Sequence, residues 1–287
     1  MLSVADARAL VLEQANPLPS TGLPLGAAAL GLVLAEDIAS DLDVPPYDKA
    51  LMDGYAVRSA DLPGGHGELA ILEEVHAGRV PRLPVGAGQC TRIMTGAALP
   101  EGADAVIMVE RTQSRADGRV EISDESLKSG QNILRRGSEM KRGQVVLSAG
   151  ATLGPTELGL LATVGRTTVQ AHPTPCVAIL ATGDELVEPD QFPGPGQIRN
   201  SNGPMLTALA SRAGARPRYL GIAPDQTTRL RELVSEGLKE SVLILSGGVS
   251  AGTRDLVPGV LQELGVRPHF HQVAMKPGKP VFFGTRD

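Results

Sequence analysis

The sequence predicts a multidomain protein that joins an α/β domain to a β domain, and three observations predict it. From residue 174 onward, short apolar runs alternate with helical patterns, the rhythm of βαβ units and a mostly parallel sheet. Residues 47–134 carry short alternating runs separated by Gly and Pro, the pattern of a small β domain. The 34 Gly and 22 Pro are about a fifth of the 287 residues and follow no collagen period, so turns are many and elements short. With 42% hydrophobic and 21% charged residues, such a chain is globular and is expected to divide among several cores.

The elements follow in order. Ser3 is an N-cap candidate ahead of Val4, Ala7, Leu10 and Val11 at helical spacing, and Asn16-Pro17-Leu18-Pro19 stops that helix. Short strands and turns are expected up to Pro46. Leu69, Ile71, Glu73 and Val75 mark one face of a strand, and residues 92–95, 105–109 and 120–122 are further strand candidates. Residues 145–147 form another. Pro155 sits where a helix begins, and Gly165 closes it.

Residues 176–181 are a continuous apolar run, the mark of a strand buried on both faces. Ser201-Asn202-Gly203-Pro204 opens a helix, residues 218–222 read as a strand, and Asp225 is expected to cap the next helix. Residues 242–245 are a second buried strand. Val257, Val260, Leu261 and Leu264 form a helical face, and residues 269–274 and 281–283 are the last strand candidates.

Several function classes are excluded. The longest apolar stretch, near residues 26–35, is about half of what a bilayer span requires, so no membrane association is expected. The start of the chain has neither a basic n-region nor an apolar h-region, so no secretory signal is expected. Cys90 and Cys176 stand far apart and make no zinc pattern, which points to a reducing cytoplasm. A net charge of −5, no Trp, three Tyr and four Phe argue against nucleic-acid binding. Residues 1–168 carry a net −6 and residues 169–287 a net +1, so the later part tolerates an anionic ligand better.

In a parallel sheet, ligands bind beyond the carboxyl ends of the strands. Two segments follow strands in that position. In the first, Thr182-Gly183-Asp184-Glu185-Leu186, two adjacent carboxylates leave a strand end. They suit a hard cation such as Mg²⁺, or they are a solvated acidic turn. The second contains Ser246, Gly247, Gly248, Val249, Ser250, Ala251 and Gly252, with Asp255 after it. Successive backbone N–H groups there would cradle an anion, although the P-loop lysine is missing.

Gly248-x-Ser250-x-Gly252 also matches a nucleophile elbow, with Asp255 as acid and His269 or His271 as base. Both partners lie too close in the chain for the usual arrangement. A structural glycine turn is the third reading. Lys276-Pro277-Gly278-Lys279-Pro280 holds two lysines on a proline-stiffened turn, where they would stabilise charge on a phosphate or face solvent. In the β domain, Asp53-Gly54 is a turn signal, and Thr95 sits at a strand–turn junction where it would bond its own backbone.

Together these segments resemble one family, the molybdopterin molybdenumtransferases of MoeA type, which include the E domain of gephyrin. The resemblance runs from residue 1 to about 284. It rests on Met52-Asp53-Gly54-Tyr55-Ala56-Val57, Met94-Thr95-Gly96, Glu101-Gly102-Ala103-Asp104-Ala105-Val106, Gly130-Gln131-Asn132-Ile133, Thr182-Gly183-Asp184-Glu185-Leu186, the 246–252 loop with Asp255, and Lys276-Pro277-Gly278-Lys279-Pro280.

The resemblance implies a reaction: adenylylated molybdopterin and molybdate give molybdenum cofactor and AMP, with Mg²⁺ as cofactor. It implies that Asp184 and Glu185 hold the cation or position phosphates. Ser246, Gly247, Gly248, Val249, Ser250, Gly252 and Asp255 cradle the pterin–phosphate part. Lys276 and Lys279 stabilise charge and bind molybdate. Asp225 is a further acidic position, and Asp53 and Thr95 complete the cleft from a second subunit. A homodimer follows from that, with a molybdopterin adenylyltransferase as pathway partner. A scaffolding module without catalysis, like the receptor-clustering role of gephyrin, is the alternative.

The implied architecture is elongated. Residues 1–44 plus 135–168 form an N-terminal dimerisation domain, residues 45–134 an inserted β domain, and residues 169–287 a MoaB/MogA-like α/β domain. Two local departures stand out. Lys49-Ala50-Leu51 replaces the usual residues before Met52, and Gly137-Ser138-Glu139 stands where the family commonly has Gly-Glu-Asp. The family's C-terminal β-barrel-like domain is absent from the sequence. The expectation is a truncated chain that binds ligand weakly and turns over poorly.

Overall fold

The structure is a computed structural model that describes residues 1–247 and 256–286. The chain divides into two compact units, Met1–Leu23, Ala28–Ala35 and Gln170–Asp287 in one, and Pro24–Ala27 and Glu36–Val169 in the other. Each is described by itself.

The first unit opens with α1, Val4–Gln14. Ser3 caps it as expected, with Oγ accepting the Asp6 N–H at 3.1 Å. Its apolar face is thinner than the spacing predicts: Ala7 is buried, Leu10 and Val11 are half-buried, and Val4 is exposed.

The second unit is built on a six-stranded sheet. Its strands are β1 Gly54–Val57, β2 His66–Val75, β3 Gln89–Ile93, β4 Ala105–Met108, β5 Thr112–Ser114 and β6 Arg119–Ser123. Their spatial order is β4-β1-β3-β2-β6-β5. Neighbours run antiparallel except β2 and β3, which are parallel.

All four residues of β1 are buried, because it is covered on both faces. Tyr55 and Val57 pack with Leu69, Cys90, Ile107, Val120 and Ile122 on one side. Ala56 packs with Val75, Ile93, Val106 and Ile133 on the other. Gly54 starts this strand rather than forming a hairpin turn. A Cβ there would lie 1.7 Å from the Ile107 carbonyl oxygen, so only glycine lets β1 and β4 approach. Later in this unit comes α2, Pro155–Thr163, with proline in its first turn and Glu157 Oε2 accepting the Gly154 N–H at 3.0 Å.

The first unit resumes with β7 Cys176–Thr182, α3 Asn202–Arg212, β8 Arg216–Ala223, α4 Thr227–Gly237, β9 Val242–Ser246 and α5 Val257–Glu263. β10 Arg267–Gln272 and β11 Pro280–Thr285 follow as an antiparallel hairpin. β7, β8 and β9 form a parallel sheet in the order β8-β7-β9. All seven residues of β7 are buried, as its apolar run predicts for a central strand covered by helices. On one face Leu180 packs with Leu230, Leu233 and Val234 of α4 and Val257, Val260 and Leu261 of α5. On the other, Val177 and Ile179 meet Ala210 and Leu206 of α3. The parallel sheet therefore has three strands, and the last two strand candidates form a separate ribbon rather than extending it.

Candidate functional site

The carboxyl ends of three parallel strands gather Asp184, Glu185, Asp225, Ser246 and Gly247. β7 ends at Thr182, paired with Ala223 at the end of β8, and Ser246 ends β9 opposite Ala181. Beyond β7 the chain turns at Gly183, whose N–H donates to the Ala223 carbonyl at 3.2 Å. Asp184 then reaches across to β8, and its Oδ1 accepts the Asp225 N–H at 3.0 Å.

The expectation that Asp225 caps α4 is not met. The N-cap is Gln226, which makes no side-chain capping bond, and the Asp225 backbone is tied to Asp184 instead. The helix begins at Thr227, one residue later than the local reading places it, so the capping position falls on Gln226. Asp184 and Glu185 are both exposed. Glu185 folds back over Gly183, where a Cβ would lie 2.4 Å from its Oε2.

The loop after β9 begins in two constrained residues. Gly247 has φ +101°, and a Cβ on it would stand 2.4 Å from the Thr182 carbonyl oxygen. Glycine is therefore required for the loop to rest on the end of β7. Ser246 Oγ accepts a hydrogen bond from Asn202 Nδ2 at 2.7 Å, at the start of α3. The Thr182 hydroxyl is buried beside Gly247 and has no hydrogen-bond partner among the described residues. Gly248, Val249, Ser250, Gly252 and Asp255 lie outside the described residues. His269, a base in the hydrolase reading, has its Nε2 2.8 Å from Thr285 Oγ1 and its ring stacked on Phe283.

Lys276 and Lys279 lie on the connection between β10 and β11, and both are exposed. Neither side chain has a hydrogen-bond or ion-pair partner among the described residues. The base of that connection is held by the start of the chain. Leu2 bridges Val273, and the Ala274 N–H donates to the Leu2 carbonyl at 2.7 Å. Gly278, at φ +102°, makes the turn between the lysines.

In the other unit, Asp53 and Thr95 meet directly. Asp53 Oδ1 accepts both the Thr95 N–H and the Thr95 hydroxyl, each at 2.6 Å. Thr95 thus bonds a residue 42 positions away, not its own backbone. The hydroxyl first and the amide second hold the Asp53 carboxyl below the usual carboxylate range.

A second carboxylate pair lies in the same unit. Asp48 accepts from the Arg135 guanidinium at 2.6 Å and the Arg136 N–H at 2.8 Å. Asp43 accepts from Arg136 Nε at 2.7 Å and the Arg142 N–H at 2.9 Å. The Arg142 amide and the Arg136 side chain keep Asp43 below its ordinary value. These bonds hold the turn that carries Ser138 and Glu139, both exposed.

Among the described residues, no group of three or more His, Cys, Asp or Glu is arranged to hold a metal ion. A cavity of about 820 Å³ lies away from the strand ends. It runs along the free edge of β9 between the end of α1, α5 and β11, and none of the predicted site residues lines it. No helix among the described residues is long and apolar enough to cross a membrane. Burial pushes the Cys90 thiol up to about 12, so it is an inert core residue.

Residues 2–165 match the model of the MoeA N-terminal region, domains I and II, and residues 178–286 match the model of a probable molybdopterin binding domain. The chain belongs to the MoeA family. A MoeA relative from Bacillus subtilis, named molybdopterin molybdenumtransferase, is 40% identical over 252 residues, which cover 85% of this chain and 59% of that protein. One of the same name from Staphylococcus epidermidis is 36% identical over 283 residues, covering 96% of this chain and 67% of the relative. The chain thus spans about three fifths to two thirds of these relatives' length. The crystal structure of a MoeA protein of molybdopterin biosynthesis from Pyrococcus horikoshii matches with a TM-score of 0.83 and 32% identity, over 100% of this chain and 72% of that one. The multidomain α/β fold is that of a MoeA protein.

Sequence reasoning missed Asn202 as a site residue and saw it only as part of a helix opening. It also missed the arginine pairs on Asp43 and Asp48. An Asn at a helix start, and two arginines ahead of Gly137, were the signals available.

Proposed function

We propose that this chain carries the phosphate-binding site of a molybdopterin molybdenumtransferase, which inserts molybdate into adenylylated molybdopterin and releases AMP and molybdenum cofactor. The observation that carries the reading is the meeting of Asp184, Asp225, Ser246 and Gly247 at the carboxyl end of one parallel sheet in a MoeA-family chain. That is where a doubly wound sheet receives its ligand.

The chemistry follows from the residue types. The Ser246 hydroxyl and the backbone amides of the loop after β9 donate to phosphate oxygens. Gly248, Val249, Ser250, Gly252 and Asp255 continue that loop in the sequence. Lys276 and Lys279, exposed and unpaired among the described residues, neutralise negative charge on molybdate and on the departing adenylate.

Asp184 and Glu185 are hard oxygen donors at the mouth of the site. One Asp184 oxygen is already engaged by Asp225, so the pair suits Mg²⁺ that arrives with substrate phosphates rather than a closed protein cage. Bound there, Mg²⁺ would supply Lewis-acid polarisation of the phosphoryl group.

The rest of the reading is carried by the family resemblance. It includes an elongated homodimer in which Asp53 and Thr95 come from the second copy, and a molybdopterin adenylyltransferase that supplies the substrate. The domain scheme is 1–44 with 135–168, an inserted 45–134, and 169–287. A cytoplasmic location agrees with two free, buried cysteines.

The test is AMP release from adenylylated molybdopterin with molybdate and Mg²⁺, in the wild-type protein and in Asp184→Asn and Lys279→Ala. We expect release by the wild type and a loss of about tenfold or more in each variant. Release that is indifferent to both residues overturns the assignment.

A further inference from the structure

The bond between Asn202 and Ser246 does more than tie α3 to β9. Asn202 is the first residue of α3, and its amide Nδ2 donates to Ser246 Oγ at 2.7 Å. A serine hydroxyl that accepts a bond still has one proton to give. Among the described residues Ser246 Oγ has no acceptor for that proton, and its own strand ends there. A second hydroxyl at the same strand ends, Thr182 Oγ1, is buried and unpartnered among the described residues. Gly247 holds the loop down on Thr182, so the Ser246 position is set from two sides, by β7 and by α3.

We propose that Asn202 is a positioning residue for anion recognition: by occupying a lone pair of Ser246, it turns the hydroxyl proton away from the protein and toward a phosphate oxygen of the bound substrate. This rests on the functional reading above, which supplies the phosphate. The amide leaves the serine one role, that of donor. Without Asn202 the hydroxyl rotates and spends part of its time pointing elsewhere. With a carboxylate at this position, the hydroxyl donates inward and presents lone pairs to the anion.

The test is a double-mutant cycle on the equilibrium affinity of the 287-residue protein for adenylylated molybdopterin. It uses wild type, Asn202→Ala, Ser246→Ala and the pair, with urea midpoints for each. We expect Asn202→Ala and Ser246→Ala each to lose roughly tenfold in affinity, the scale of one hydrogen bond to a charged group. The pair should lose no more than Ser246→Ala alone. Asn202→Asp is the second probe. It keeps a bond to Ser246 and should leave the urea midpoint near wild type while weakening ligand more than Asn202→Ala does.

Additive losses in the cycle would show that Asn202 does not act through the hydroxyl, and the proposal fails. An affinity untouched by Asn202→Ala has the same meaning. If the wild type itself does not bind adenylylated molybdopterin, the functional reading fails first and takes this inference with it.

Discussion

Thr95 donates to Asp53 twice, from its backbone N–H and from its hydroxyl, and both bonds end on Oδ1 at 2.6 Å. Two donors on one carboxylate oxygen favour the ionised form, which is why the Asp53 pKa is depressed. A depressed carboxylate contributes stability above the unfolded pKa of about 3.9, and loses it as pH falls through the folded value. Thr95→Val removes the larger contribution and keeps the amide. The Asp53 pKa should then rise toward its ordinary value, whereas Thr95→Ser should leave it low. An NMR titration of the Asp53 carboxyl reads this directly. An unchanged value in Thr95→Val would show that the hydroxyl does nothing.

Gly247→Ala forces a Cβ against the Thr182 carbonyl in a left-handed backbone conformation. The expected cost is about 1–3 kcal/mol in urea unfolding, accompanied by weaker ligand binding. Gly259 in α5 is exposed, with nothing within 4 Å of its missing Cβ, so Gly259→Ala should stabilise by about 1 kcal/mol. Opposite signs at two glycines only twelve positions apart separate a site requirement from a general glycine effect.

Tyr219→Phe tests a partly exposed network anchored on the buried Asn200. The Tyr219 hydroxyl accepts from Asn200 Nδ2 at 2.7 Å and donates to Glu188 at 3.0 Å, while Asn200 Oδ1 receives the Gly203 N–H at 3.0 Å. Burial, then Glu188, pushes Tyr219 up to about 12, so it stays a donor through neutral pH. Asn200 is 2% exposed, and losing its partner strands an amide proton. The loss should be about 1–3 kcal/mol, read from the urea midpoint.

Leu180→Ala opens a cavity between β7 and helices α4 and α5. Leu180 is fully buried, so the cost should be about 2–5 kcal/mol. A shift below 1 kcal/mol would mean that the helices collapse onto the sheet.

The legibility of this molecule follows the range of its interactions. β7 was plain because a strand covered on both faces must be apolar at every position, and residues 176–181 are. The start of α1 was plain because Ser3 and Asp6 sit within one turn. The order of the six-stranded sheet was not, since parallel pairing of β2 with β3 leaves no local mark.

At the site, the acidic and glycine segments were visible as types, and their partners were not. Asn202 and Ser246 are 44 positions apart, and the Thr95–Asp53 bond spans 42. Asp225 shows the failure mode: the helix starts one residue later than the cap rule places it, and the Asp225 amide is held by a carboxylate that only the folded sheet brings near.

The central claim is that substrate phosphates bind at the carboxyl ends of β7, β8 and β9. Hydrogen exchange of this chain with and without adenylylated molybdopterin tests it most directly. The claim predicts new protection at the amides around Gly183, Asp225 and Gly247, with the strands' amino ends around Cys176, Arg216 and Val242 unchanged. Protection confined to the cavity along the free edge of β9, or none at those three turns when ligand is bound, would contradict it.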